Sequence, residues 1–156
     1  MTPAIDLLKK QNIPHSIHEY QHKSSVISFG QEAIDKLGVP AVQIYKTLLA
    51  ELDDGELAVA VLPVLRKLNT KLLAKALGRK KAKMADAHKV KRVTGYVMGG
   101  VSPLGQKKKL PTVIDSTVRG LEQMFVSAGR RGLEIELAPL DLATLCNAEF
   151  KPICQP

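Results

Sequence analysis

The sequence predicts a mixed α/β fold: a single domain over residues 1–156, built on a curved, barrel-like, mixed and mostly antiparallel β-sheet with helices packed outside it. Three observations lead there. Strand-like runs outnumber amphipathic helical ones, tight-turn signals such as Asp53-Asp54-Gly55 join several of them as hairpins, and neither a repeat nor a linker divides the chain. A chain of this length buries roughly 68 to 70% of the surface its unfolded form exposes, so a full core is expected.

Taken in order, Thr2 is placed to cap a helix with Pro3 first, Asp6 near the positive end, Lys9-Lys10 near the negative end, and Ala4, Leu7 and Leu8 inward. Asn12 ends it. Ile13 to Tyr20 alternates as a strand, which sets His15 and His18 on opposite faces, an awkward pair for one metal. A polar loop, Gln21 to Ser28, leads through Phe29-Gly30 into a short helix, Gln31 to Leu37, stopped by Gly38. The apolar runs Ala41 to Leu52 and Leu57 to Leu62 then form a hairpin about Asp53-Asp54-Gly55. Asn69 caps a helix ending near Gly78, with Leu72, Leu73, Ala76 and Leu77 as its apolar stripe. Arg79 to Met84 predicts a short basic edge strand, and Asp86 caps a helix that stops at Gly95. Pro111 to Asp115 and Glu122 to Ser127 predict strands, and Gly129-Arg130-Arg131-Gly132 a turn. In the clean alternation of Leu133-Glu134-Ile135-Glu136-Leu137, the three apolar residues face the core and both glutamates share the other face. A final helix follows Pro139, and the tail from Lys151 is expected to be loose.

Charge is unevenly spread. Of the 23 Lys and Arg, fourteen lie between Arg66 and Lys109 against one acid, Asp86, within a formal net charge of +8. Such a field draws polyanions, and with aromatics at 4% and no Trp, contact with a phosphate backbone is expected in place of a base-stacking platform. Apolar runs are too short to cross a bilayer, and Met1-Thr2-Pro3 leads into a capped helix and not a signal peptide, so a soluble cytoplasmic protein with no membrane partner is expected. Cys146 and Cys154 are expected as reduced thiols, far along the chain from any glycine-rich loop.

Chemistry is expected in Thr94-Gly95-Tyr96-Val97-Met98-Gly99-Gly100-Val101-Ser102-Pro103-Leu104-Gly105, which runs on into Gln106-Lys107-Lys108-Lys109. Glycines and a rigid Ser-Pro step present main-chain N–H groups to a carbonyl or phosphate, although a Gly-Gly pair also serves simply to turn a corner. Lys46, inside an apolar strand, either snorkels to water or meets a negative group, as a point charge for phosphate or as a Schiff-base amine. No HExxH, CxxC or GxSxG is present, so no metal, cofactor or serine nucleophile elbow is expected. Glu134 and Glu136 read first as a solvated face, with one of them able to approach the loop.

Tyr45-Lys46-Thr47-Leu48, the whole glycine-rich stretch, and Val126-Ser127-Ala128-Gly129-Arg130-Arg131-Gly132-Leu133-Glu134-Ile135-Glu136-Leu137 closely resemble the YbaK/EbsC family of Cys-tRNA(Pro) deacylases, related to the editing insertion of prolyl-tRNA synthetase. The resemblance runs from Met1 to the last helix. It implies trans-editing, in which cysteine wrongly attached to proline tRNA is removed, and a mixed α/β domain around a curved sheet. It places the family's essential lysine on Lys46 and its glycine-rich loop on Gly99, Gly100, Val101 and Ser102, with Lys46, Gly100 and Ser102 carrying the catalytic role. Tyr20, Phe29, Thr47, Ser127 and Glu134 match pocket positions, Glu134 standing where the family has Asp. Lys107, Lys108 and Lys109 belong to a cationic belt for the tRNA. The family chemistry needs no protein nucleophile, because the substrate's own thiol attacks its ester; the enzyme acts either alone or in a ternary complex with prolyl-tRNA synthetase. Deacylation of alanyl- or seryl-tRNA, a noncatalytic tRNA or synthetase adaptor, and a Schiff-base lyase are the alternatives.

Overall fold

Short-range signals set the helix ends. In the computed structural model of the protein, which describes residues 1–22 and 29–156, Thr2 caps α1 (Pro3–Lys10) by accepting from Ile5 N. Its hydroxyl also donates to the Ala128 carbonyl, which ties the first helix to a strand far along the chain. Asn69 caps α3 (Thr70–Ala76) and Asp86 caps α4 (Ala87–Thr94) in the same way, through Leu72 N and Lys89 N. Each such cap contributes about 1 kcal/mol relative to alanine. On α1 the buried residues are Ala4, Ile5 and Leu8, whereas Leu7, expected inward, is only partly covered.

Two sheets result. The three-stranded one has the order β1 (Ser16–Glu19), β7 (Leu133–Leu137), β6 (Met124–Arg130), all antiparallel. The five-stranded one has the order β4 (Ala82–Met84), β2 (Tyr45–Leu52), β3 (Leu57–Pro63), β5 (Thr112–Asp115), β8 (Glu149–Lys151), with β3, β5 and β8 mutually parallel. The expected mixed sheet with a β2–β3 hairpin is present, but it is split and not closed into a barrel. Among the described residues an isolated bridge, Ile44 to Phe125, joins the two sheets; β2 pairs with β3 along most of its length on one side and with β4 from Ala50 on at the other.

The five-stranded sheet is covered on both faces, which explains why β3 is buried at every position and reads as one apolar run. Tyr45, Leu49, Val59 and Val61 face the three-stranded sheet and α1, α4 and α5 (Pro139–Cys146) across the main core. Ala50, Ala60, Leu62 and Val113 face α3 and the chain's end in a second core. A third cluster, Ala33 of α2 (Phe29–Leu37) with Ile44 and Phe125, sits at the seam of the two sheets. Each fully buried Leu, Ile or Phe side chain is worth about 1.5 to 3 kcal/mol of transfer free energy.

Several expectations change. β1 is shorter than Ile13 to Tyr20 because β7, its partner, offers only the register Ser16↔Glu136 to Glu19↔Leu133. His15 therefore lies outside it, while His18 contacts Glu136. Ala41–Gln43 forms a 3-10 turn after Pro40 and not the start of a strand. Strand β6 extends through a bulge to Arg130, beyond the expected Ser127. The tail from Lys151 is not loose: Ile153 is fully buried and its N–H donates to Asp115 Oδ1, while Gln155 N donates to Lys67 O. The polar loop expected at Gln21 to Ser28 falls, for residues 23–28, outside the described residues.

Candidate active site

At the seam of the sheets lies a cavity of about 370 Å³. Ile44 to Leu49 all line it consecutively, so β2 presents its backbone edge there as well as its side chains, β4 covering that edge only from Ala50 on. Among the residues singled out from sequence, Tyr20, Lys46, Thr47, Gly99, Val101, Ser127 and Glu134 come together in its lining. Gly100 and Ser102 do not. Lys107, Lys108 and Lys109 are exposed away from the lining, and the side chain of Phe29 lies outside the described residues.

Gly100 shapes the site from behind. A Cβ there would lie 3.0 Å from Arg130 Cα, so the loop backbone packs directly on the β6–β7 hairpin, and the Gly100 N–H donates to Val97 O. Ser102 is fully buried; its Oγ accepts from Leu104 N and its carbonyl accepts from Gln106 Nε2. Gly132 serves the opposite wall. It takes φ +84 and its carbonyl accepts from Tyr20 N, while a Cβ would lie 2.6 Å from the Tyr20 carbonyl. Tyr20 is thereby held over the cavity.

Glu134 is the principal correction to the alternation read on β7. Period-two alternation tells which residues share a face, not what covers it; Glu134 is 7% exposed because its face is the cavity wall. Burial pushes its carboxyl up to about 8. It is thus a proton-holding group at neutral pH when the cavity is empty, and the arrival of a cation beside it would favour its ionised form. Burial, then the carboxyls of Glu134 and Glu32, push the Tyr20 phenol up to about 12, leaving it an O–H donor. Ser127, opposite Glu134 in the β6–β7 ladder, accepts from Gly129 N. The Thr47 Oγ1 is buried with no hydrogen-bond partner among the described residues, a polar atom left for something inside the cavity.

Lys46 is half-buried, opposite Leu62 in the β2–β3 ladder. Burial lowers its ammonium below the ordinary lysine value; Cys154 opposes that shift and Lys67 adds to it. The cysteines are nearer these parts than their sequence positions suggest, since Cys146 Sγ donates to the Pro103 carbonyl of the glycine-rich stretch at 3.4 Å. Burial raises Cys146 to about 12, and burial together with Asp115 raises Cys154 to about 11, so both stay protonated thiols. Among the described residues no three His, Cys, Asp or Glu side chains converge as metal ligands do.

Sequence reasoning missed Glu32, Arg131, Met84 and Met98, which also line the cavity. Glu32 is 4% exposed in the first turn of α2, where an acid reads as ordinary helix-dipole complementation; its burial and its contact with His22 Nδ1 at 2.7 Å distinguish it. The two methionines carried no signal beyond a strand end and a loop position. No helix among the described residues is long and apolar enough to cross a membrane.

The same stretch of chain matches known proteins. The family model for the aminoacyl-tRNA editing domain matches residues 26–145. The chain is 34% identical over 97% of its length to a protein of Enterococcus faecalis provisionally named Cys-tRNA(Pro)/Cys-tRNA(Cys) deacylase EbsC, of which it covers 92%. It is 30% identical over 90% of its length to the proline–tRNA ligase of Lactobacillus gasseri, where the match spans 25% of the ligase. A solved structure described as a provisional trans-editing enzyme for prolyl tRNA synthetase shares the fold, with a TM-score of 0.81 at 20% identity over 98% of this chain and 93% of that one. With more than two thirds of its residues inside the family match and a full-length relative above 30% identity, the chain belongs to the aminoacyl-tRNA editing domain family.

Proposed function

We propose that the chain, acting as one domain over residues 1–156, is a trans-editing deacylase that removes cysteine from mischarged tRNA(Pro). The observation that carries the reading is the cavity itself: within an editing-family chain it joins a buried hydroxyl without a partner among the described residues, Thr47, to a buried carboxyl, Glu134, in a space fit for a small acyl group. The name of the Enterococcus faecalis relative supports cysteine on tRNA(Pro) as the substrate, and the ligase match supports proline tRNA as the carrier. Glu134 would take the α-ammonium, ionising as it does so, with Tyr20 donating to the acyl group. Lys46 would face the phosphate or ribose of the acceptor end, and the Gly99–Val101 backbone would line the ester.

Nucleophilic attack would come from the substrate. The cysteinyl sulfur forms a bond to its own ester carbonyl carbon, the bond from that carbon to the ribose oxygen breaks, and the thiol proton ends on that oxygen, giving a cyclic thiolactone and free tRNA. The state of the protein's own groups supports this. Ser102 is buried and engaged with Leu104, and both protein thiols are held far above neutral pH. Lys107, Lys108 and Lys109 would serve tRNA backbone contact, in the cytoplasm, with a ternary complex with prolyl-tRNA synthetase as the setting. Deacylation of cysteinyl-, alanyl- and prolyl-tRNA(Pro), measured side by side, tests the reading: cysteinyl-tRNA should be cleared first, and equal rates for all three, or none, would reject it.

A further inference from the structure

Strand β2 has two differently charged sides. Its side chains alternate, so Tyr45 and Leu49 enter the main core while Leu48 and Ala50 enter the second one. Lys46 therefore leaves the strand on the Leu48 side, the face covered by α3 and the chain's end, and Thr47 leaves it on the other.

What meets Lys46 on its own face is basic. The chain passes from Val64 of the cavity lining almost at once to exposed Arg66 and Lys67. This segment runs antiparallel to the chain's end: Leu68 bridges Cys154, Gln155 N donates to Lys67 O at 2.8 Å, and Arg66 Nη2 donates to Gln155 O at 2.8 Å. Burial first, and then Lys67, lower the Lys46 ammonium, and the Cys154 thiol, raised chiefly by burial, feels both Arg66 and Lys46. The three cations thus gather around the chain's end.

Helix α3 continues the row. It buries Leu73 and Ala74 and leaves Lys71 and Lys75 exposed one turn apart. Like charges at that spacing repel, and the first turn holds no acid to offset Lys71 against the helix dipole. Among the described residues none of Arg66, Lys67, Lys71 and Lys75 pairs with a carboxylate. Arg79, Lys83 and Lys89, in the same basic run, are by contrast tied to Asp53, Asp54, Glu56 and Glu51. A row of cations that repel one another is offset by a polyanion laid along it. The length suits one, because a helix of seven residues runs about 10 Å, over which one strand of a nucleic-acid duplex presents about three phosphates.

We infer that Arg66, Lys67, Lys71 and Lys75 form the track along which the sugar-phosphate backbone of the tRNA acceptor arm enters the site, passing over α3 with Lys46 at its inner end. The inference rests on the deacylase reading above and assigns the direction from which that substrate arrives.

Binding of uncharged tRNA(Pro), followed by fluorescence anisotropy, tests the track without turnover. Replacing the four residues by Ala should flatten the log–log salt slope by up to about 3. Lys71→Glu should weaken binding about tenfold at low salt and yet raise the thermal unfolding midpoint, since a carboxylate there complements the helix dipole and pairs with Lys75. A misfolded variant would move the midpoint the other way. Lys10→Glu makes the same change in net charge on α1, which packs against the main core on the opposite side of the five-stranded sheet, and should cost less than twofold. A hairpin RNA with only the acceptor stem and single-stranded 3′ end should show the same ranking of variants. An unchanged salt slope, equal losses from Lys71→Glu and Lys10→Glu, or a loss seen with whole tRNA and not with the hairpin would overturn the track. A wild-type protein that binds RNA through these residues but leaves cysteinyl-tRNA intact removes the deacylase reading and keeps the track.

Discussion

Replacing Glu134 by Gln should make the protein more stable at alkaline pH, the reverse of what loss of a buried charge-bearing residue usually suggests. Glu134 is 7% exposed and its carboxyl titrates at about 8 in the folded protein, against about 4.3 for an unperturbed glutamate. Because the folded value is the higher one, the folded state holds a proton that the unfolded chain releases. Stability from this group is fully present below about pH 4, declines as pH rises from there to about 8, and is lost above. Integrated between pH 5 and pH 8, the linkage amounts to about 3 to 4 kcal/mol. Glutamine keeps the shape and a donor but cannot ionise. Urea midpoints for both proteins across that range isolate the term, since Asp115, Glu51, Asp54 and Asp86, whose values are lowered, titrate in the wild type and the variant alike. The difference in unfolding free energy should swing by about 3 to 4 kcal/mol in the variant's favour as pH rises. Parallel curves would show that Glu134 is solvated or already ionised, and the cavity chemistry built on it would fail.

Lys46→Ala should abolish deacylation while leaving the urea midpoint near the wild-type value, because the side chain is only half-buried and its charge is not held by an ion pair among the described residues; turnover by the folded variant would remove Lys46 from the chemistry. Lys46→Arg should rescue only in part, since a planar fork does not replace a compact ammonium. Affinity for tRNA should fall with salt at a log–log slope of roughly 0.7 to 0.9 per phosphate neutralised, and replacing Lys107, Lys108 and Lys109 together should flatten it by up to the share of three such contacts. Salt-independent affinity would assign the basic surface to another partner.

What the sequence made legible were features decided within a few residues. Thr2, Asn69 and Asp86 cap their helices because a side chain reaches an N–H three positions on, and Asp54-Gly55 turns the β2–β3 hairpin by local geometry. Lys46, Thr47, Gly99 and Glu134 were picked out as candidates and do line one cavity. Illegible were features made by covering and by long-range anchoring. The fate of the tail is decided by the Asp115 carboxylate, which accepts from Ile153 N 38 residues away and from Thr117 N, and no local pattern announces that. Alternation on β7 put Glu134 opposite the core residues but did not reveal a wall of Tyr20 and α2 over it. Gly100 and Ser102 sit in a motif of the right composition, yet one is there so that two backbones can touch and the other to hold a turn. Whether β6 pairs with β2 along its length or meets it through an isolated bridge is decided by long-range packing, which strand runs alone do not encode.

The source of the nucleophile is tested directly by one comparison: deacylation of cysteinyl-tRNA(Pro) and of the same tRNA carrying S-methylcysteine, under single-turnover conditions with enzyme in excess. Methylation adds a single carbon to an acyl group in a cavity of about 370 Å³, so binding should persist, while the sulfur can no longer lose a proton and attack. The methylated substrate should therefore bind and remain uncleaved, with Cys146→Ser and Cys154→Ser each active on the unmodified one. Release of S-methylcysteine at the wild-type rate would contradict the account and return the chemistry to water or to a group on the cavity wall, Glu134 and Ser127 first.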